Sequence, residues 1–247
     1  MVSKITESIL KGIRNTDPFD FSNLEEFCVF TTNSIHKIFE TEFLNLLTAD
    51  AFELDNLHIT ILDSLKENIF IDFLGTGTFS SVFAVKNSDK AFKINVASCD
   101  SFSDSWITFA EKIMSCEHKN PWLPNIHFLF KKEYIYCAIV DRLNPISQCD
   151  IRFQKEIVLG IKNIIKSVET VDFQGFKSEQ KYIESLLQHY EKSDSSNKIL
   201  NAIEIILSIK NKTKSDFDIY PQNIMIDRYN NVVINDPLSY DKTYVQK

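Results

Sequence analysis

Asp216-Phe-Asp-Ile-Tyr-Pro-Gln-Asn-Ile-Met-Ile-Asp-Arg-Tyr-Asn-Asn-Val-Val-Ile-Asn-Asp-Pro237 is the stretch on which the reading of this chain turns. Asp218 is followed five positions on by Asn223, and Asp236 comes thirteen positions after that. Asn223 opens the apolar run Ile224-Met225-Ile226, and Val232-Val233-Ile234 runs back toward Asp236. Asn tolerates positive φ, so Asn230-Asn231 between two apolar runs predicts a tight hairpin. Such a hairpin sets Asn223 beside Asp236. Two oxygen ligands together, with a carboxylate just upstream, suit a Mg²⁺ ion and a proton-accepting base.

Asp218-x4-Asn223 followed by Asp236 resembles the catalytic loop and metal-binding Asp of the protein-kinase-like superfamily. Upstream, the strand-like Ile69–Leu74 runs into Gly75-Thr76-Gly77-Thr78-Phe79-Ser80-Ser81-Val82. Glycine is scarce, five in the whole chain, yet two fall within three residues here. That placement implies special dihedrals or close approach to a ligand. Another strand follows the glycines, which disfavours a Rossmann turn, where a helix should follow. The arrangement looks like the kinase Gly-rich loop over ATP phosphates, with a plain hairpin as the bland alternative.

Ala91-Phe92-Lys93-Ile94 resembles the third-strand Ala-x-Lys of kinases, where the small residue lies against adenine and the Lys reaches the phosphates. Phe92 and Ile94 should point to the face opposite Lys93. Glu111, on a helix expected over about 103–117, is placed to pair with Lys93, with Glu117 as a competitor. Strands are expected at Ile126–Phe130 and Tyr134–Val140. They lead to a hinge-like Asp141-Arg142-Leu143, whose backbone would read the adenine edge. Further on, apolar periodicity at Ile157, Ile161, Ile164 and Ile165, then Tyr182 to Tyr190, then Ile199, Ile203, Ile206 and Leu207, predicts helices of the core.

The resemblance covers about residues 68 to 240. It implies an α+β fold of protein-kinase-like, bilobal type, with a β-rich N-lobe and a truncated helical C-lobe. The expected divisions are a helical N-terminal extension at 1–67, the N-lobe with Gly-rich loop and hinge at 68–141, and the C-lobe at 142–247. Within the extension, Ser22-Asn23-Leu24-Glu25 reads as a capping box. Its helices are expected to pack on the following lobe, a partner-contacting module being the alternative.

Four departures narrow the match. Ser80 stands at the third loop glycine, and Asp216-Phe217 replaces the His-Arg before the catalytic Asp. Asp-Phe-Gly becomes Asp236-Pro237-Leu238, and proline should stiffen the segment. The chain stops 11 residues after Asp236, so an activation segment is not expected. A short chain with Phe217-Asp218-Ile219 at the base and Asn235-Asp236-Pro237 at the metal Asp resembles the short bacteriophage early-gene Ser/Thr protein kinases, which modify host proteins.

That resemblance implies an ATP- and Mg²⁺-dependent enzyme, active without loop phosphorylation. Asp218 would be the base, and Asn223 and Asp236 the metal ligands. Lys93 with Glu111 would position the phosphates, Gly75 to Val82 would cover them, and Ala91, Asp141 and Leu143 would flank the nucleotide. A small-molecule phosphotransferase, a pseudokinase serving as a binding module, and transfer of AMP are the rival readings. Net charge is −7, which disfavours a nucleic-acid partner. The five scattered cysteines suit a reducing compartment and neither a disulfide framework nor a zinc site. No apolar run spans a bilayer, and no signal-peptide pattern opens the chain, so a cytoplasmic location (the host cytoplasm, for a phage protein) is expected.

Overall fold

The computed structural model describes residues 3–18, 24–46, 51–77, 80–95, 105–117, 119–133, 135–170 and 196–239. The chain is mixed helix and antiparallel sheet, and it divides into two compact units. The first comprises residues 1–101 and 126–142, and the second residues 102–125 and 143–247.

In the first unit, three helices precede five strands: α1 (Lys4–Asn15), α2 (Leu24–Leu46), α3 (Ala51–Lys66), β1 (Ile71–Thr76), β2 (Ser80–Val85), β3 (Lys90–Asn95), β4 (Ile126–Lys132) and β5 (Ile135–Asp141). The strands form one antiparallel sheet in the order β1-β2-β3-β5-β4. Side chains alternate between its faces. Phe83, Val85, Phe92, Ile94, Ile135, Cys137 and Ile139 therefore lie on one face and join a single core with Leu10, Ile13, Phe27, Cys28, Ile35, Ile38, Ile61 and Leu65 of the helices. Phe27 and Phe92 meet with ring centroids 5.0 Å apart. The N-terminal helices thus pack on the sheet, as their apolar periodicity predicts.

Polar ties fix these helices. Ser3 caps α1, its side chain accepting from the Thr6 N–H, and the buried Glu42 of α2 accepts from the Ser3 N–H at 3.0 Å and from the Thr6 hydroxyl. At the other end of α1, the buried Asn68 donates to the Ile13 and Thr16 carbonyls, which have no partner inside the helix, and accepts from the Phe70 N–H at the entry to β1. Cys28 and Cys137 bring their sulfurs within 2.7 Å in this core, and burial pushes the Cys28 thiol far above its usual range. A buried, protonated thiol is a packing group. The capping box read at Ser22–Glu25 falls partly outside the described residues.

The second unit holds α4 (Ser105–Met114), β6 (Asn144–Pro145), α5 (Ile151–Glu169), α6 (Ser196–Thr213), β7 (Asp216–Phe217), β8 (Ile224–Ile226), β9 (Val232–Ile234) and β10 (Leu238–Ser239). The Asp150 carboxylate caps α5 by accepting from the Arg152 and Phe153 N–H groups. Ile157, Ile161, Ile164 and Ile165 of α5, and Ile199, Ile203, Ile206 and Ile209 of α6, are buried at helical spacing. The strands make two small antiparallel sheets, β6-β8-β9 and β7-β10. The Ile234 N–H donates to the carbonyl of the buried Trp122 at 2.8 Å, fixing β9. The helix read at Tyr182–Tyr190 lies outside the described residues. Among the described residues, no helix is long and apolar enough to cross a membrane.

Candidate active site

The hairpin read from sequence forms, with Ile224 opposite Ile234, Met225 opposite Val233 and Ile226 opposite Val232. Its turn is wider than the expected Asn230-Asn231 pair. It spans Asp227 to Asn231, closed by the Asp227 N–H to the Asn231 carbonyl at 3.0 Å. Asn230 does take positive φ, 65°. The organising group is Asp227, whose carboxylate accepts from the Tyr229 N–H, the Asn231 N–H and the Asn231 side-chain amide, each at 2.8 Å. An Asx carboxylate that satisfies the N–H groups two and four residues on stabilises a longer turn than two Asn residues need alone.

Four hydrogen bonds then draw Asp218, Asn223 and Asp236 into one place. The Asn223 side-chain amide donates to both the Asp218 carbonyl (2.8 Å) and its carboxylate Oδ2 (2.9 Å). The Asn223 carbonyl accepts from the Asn235 N–H at 2.9 Å, and the Pro237 carbonyl accepts from the Asp218 N–H at 2.8 Å. Asp236 therefore sits between two residues tied by their backbone, one to Asn223 and one to Asp218. The pairing of β7 with β10, Phe217 opposite Leu238, continues the tie. A one-turn 3₁₀ helix, Pro221–Asn223, starts with proline, which has no N–H to satisfy there, and turns Asn223 back toward Asp218.

All three side chains are half-buried. With the Asn223 NH₂ committed to Asp218, its amide oxygen is the atom left for a ligand. Among the described residues, no cluster of three or more His, Cys, Asp or Glu has a metal-binding arrangement. A site made of one amide oxygen and carboxylates suits Mg²⁺, a hard cation that keeps most of its water or takes phosphate oxygens. The donor set therefore fits the Mg-nucleotide implied by the sequence motifs.

The remaining candidates divide between the two units. In the first, Val82 is directly opposite Lys93, Lys93 opposite Ala138, and Ala84 opposite Ala91. Directly paired residues share a face. Val82, Ala84, Ala91, Lys93 and Ala138 thus lie on the face turned away from the helix-side core. Lys93 is 5% exposed there, with small alanines beside it.

Gly75 ends a bulge against β2, and the Gly77 N–H donates to the Ser80 carbonyl at 2.7 Å. The Thr76 hydroxyl lies near the Ser80 carbonyl (3.3 Å) and the Ser81 hydroxyl (3.1 Å). Neither glycine has positive φ, so the special dihedrals read from their scarcity are not used. Among the described residues, a Cβ at Gly75 would meet nothing within 4 Å, and one at Gly77 only the Ser80 carbonyl at 3.8 Å. Of the two reasons for glycine, close approach of a ligand is the one still open. Thr78 and Phe79 lie outside the described residues.

The Asp141 carboxylate is engaged by Lys90 (2.6 Å) and His127 (2.7 Å), so any contact it makes with a nucleotide edge would come from its backbone. The half-buried Leu143 begins the second unit. Glu111 lies on α4, which packs on α6 and β10; its side chain is exposed and enters no ion pair among the described residues. Sequence reasoning missed Asp227. Asp227-x3-Asn231 carried an Asx-turn signal that the adjacent Asn pair overshadowed.

A family model described as Bacteriophage T7 protein kinase 0.7 matches residues 50–247. The match takes in α3 and every later element, and the chain belongs to this family of phage protein kinases. The resemblance read from the motifs is borne out at that level. No individual curated protein matches the chain.

Proposed function

We propose that this chain is an ATP- and Mg²⁺-dependent Ser/Thr protein kinase that acts on host proteins in the host cytoplasm without needing loop phosphorylation. The observation that carries the reading is the tie among Asp218, Asn223 and the residues bracketing Asp236. Asp218 accepts the proton of a substrate hydroxyl. Its Oδ2 bond to the Asn223 amide fixes the carboxylate plane and leaves Oδ1 to meet that hydroxyl. The Asn223 amide oxygen and Asp236 would hold Mg²⁺, which when bound with ATP supplies neutralising charge to the phosphates. Lys93 would contact the phosphates, and Glu111 is assigned to orient it. Gly75 to Val82 would cover the phosphates. Ala91 and the backbone at Asp141 and Leu143 would border the base.

Activity without a phosphorylation switch is supported by two local features. Asp216-Phe217 replaces the His-Arg whose Arg would read a loop phosphate. The Pro237 carbonyl and β10 are bonded to Asp218 and β7, which holds the segment after Asp236 in place.

Labelled ATP, host lysate and purified protein test the reading. Wild type should label protein on Ser and Thr in a Mg²⁺-dependent way, and Asp218→Asn, Lys93→Met and Asp236→Asn should each abolish transfer while keeping the fold. Undiminished labelling by Asp236→Asn would refute the metal assignment. Labelling only of small metabolites would move the substrate to another class.

A further inference from the structure

Helix α5 packs against the one-turn helix that carries Asn223. Its exposed face bears Arg152, Lys155, Leu159, Lys162 and Lys166. Spacings of three and four residues place all five on one stripe. The part from Lys155 to Lys166 is about 16 Å long at 1.5 Å per residue. Neither acidic side chain of the helix neutralises the lysines of that stripe. Glu156 pairs with Arg152 at 3.0 Å, and Glu169 pairs with Lys210 of α6 at 3.5 Å. Lys155, Lys162 and Lys166 have no carboxylate partner among the described residues. Three clustered cations without a carboxylate partner among the described residues stand out in a chain of net charge −7.

The stripe leads to the catalytic loop. Lys162 Nζ lies 4.7 Å from the centroid of the Tyr220 ring, and Tyr220 is 55% exposed. Tyr220 is two residues from Asp218, and its N–H donates to the Asp218 carbonyl at 3.1 Å. A chain presenting a hydroxyl to Asp218 needs only a few residues, at about 3.3 Å each, to reach Lys162 and the lysines behind it. In the middle of the stripe, Leu159 is 57% exposed and offers an apolar contact between the charges.

We infer that the Lys155–Leu159–Lys162–Lys166 face of α5 docks an acidic segment of the protein substrate and so selects which hydroxyls reach Asp218. The inference rests on the kinase reading for its substrate. The partner follows from charge complementarity, which raises encounter rate and discriminates between partners. A polynucleotide is the poorer fit, because its affinity grows with the number of phosphates neutralised and this face offers only three lysines without a carboxylate partner among the described residues, with an apolar residue among them.

Fluorescence anisotropy with labelled Ser-containing peptides tests it without requiring transfer. One peptide carries a Glu/Leu segment beside the Ser, one a neutral segment and one a Lys segment, each of equal length; a single-stranded oligonucleotide is the fourth probe. The acidic peptide should bind wild type about tenfold more tightly than the neutral one, the preference shrinking as salt rises. The triple variant Lys155→Ala/Lys162→Ala/Lys166→Ala should lose that preference while its circular dichroism is unchanged, and Lys162→Glu should reverse part of it. Equal binding of acidic and neutral peptides, a preference that survives the triple variant, or stripe-dependent binding tighter for the oligonucleotide would each overturn the proposal. Asp218→Asn should keep the preference in this assay. An absence of transfer by wild type would count against the kinase reading, and the binding preference would still decide the docking face.

Discussion

The two stretches read as catalytic from sequence are held in opposite ways. Around Asp218, Asn223 and Asp236, side-chain and backbone hydrogen bonds of 2.8 to 2.9 Å fix each residue to the next, and a five-residue turn organised by Asp227 closes the hairpin behind them. Around Gly75 and Gly77, the β1–β2 ladder reaches Gly75 and Thr76, one further backbone bond of 2.7 Å and the longer contacts of the Thr76 hydroxyl hold the tip, and among the described residues a Cβ at Gly75 would meet nothing within 4 Å. The contrast is what the proposed kinase roles would require. A base and metal ligands must be within a few tenths of an ångström of their targets, so their carriers are over-determined. A cover for phosphates must give its backbone N–H groups room to approach.

Substitutions can break or sharpen this contrast. The largest effect is expected at Asp218→Asn: transfer falls by about 10³-fold, within the range for removing a general base, with little change in melting temperature. Comparable losses of activity and of stability together would mean that Asp218 serves the fold. Next comes Asn223→Ala, which removes the amide bonded to Asp218 as well as the proposed oxygen ligand. A loss of about 10²-fold in kcat is expected, with about 1 kcal/mol of stability for the missing hydrogen bonds. A near-normal kcat would show that the Asn223–Asp218 bond is incidental.

Asp227→Ala comes third. It leaves three N–H donors of the turn without their acceptor and should cost about 1–2 kcal/mol in a denaturant titration. The turn is partly wet, so a larger loss is not expected, and an unchanged midpoint would contradict the organising role given to Asp227. The smallest effect belongs to the glycine loop. Neither Gly75 nor Gly77 has positive φ, and among the described residues a Cβ would meet nothing within 4 Å at Gly75 and only the Ser80 carbonyl at an ordinary 3.8 Å at Gly77, so Gly→Ala should leave stability level or raise it by about 0.5 kcal/mol through the unfolded chain. The KM for ATP should rise in both variants. A fall in stability with KM unchanged would assign these glycines to the fold.

The same contrast explains what the sequence could reveal. The hairpin was legible because its signal is local: two short apolar runs, an Asn-Asn turn and fixed spacing to Asp218. Even there the turn was misjudged, since Asp227 works through bonds to residues two and four further on and its strength is invisible in a propensity. Strand parity placed Phe92 and Ile94 opposite Lys93, and they do enter the helix-side core while Lys93 does not. The glycines were legible as unusual, yet scarcity does not tell a dihedral requirement from a steric one.

Long-range partners were the least legible. Phe27, Ile35 and Ile38 recur at helical spacing, which marks one apolar face, and only the fold pairs that face with Phe92, Ile94 and Cys137. A helix is expected over about 103–117 and forms over Ser105–Met114; its buried residues Trp106, Phe109 and Ala110 belong, with residues 102–125, to the second unit, which helical spacing alone does not tell. Apolar periodicity says that a face is buried and is silent about what buries it.

A thermal-shift titration with ATP, with and without Mg²⁺, on wild type and on Asp236→Asn tests the central claim most directly. Ligand that binds the native state raises its melting temperature by mass action. A Mg²⁺-dependent rise is expected in wild type and should disappear in Asp236→Asn while the nucleotide-free melting temperatures agree. An equal Mg²⁺-dependent rise in both proteins would contradict it.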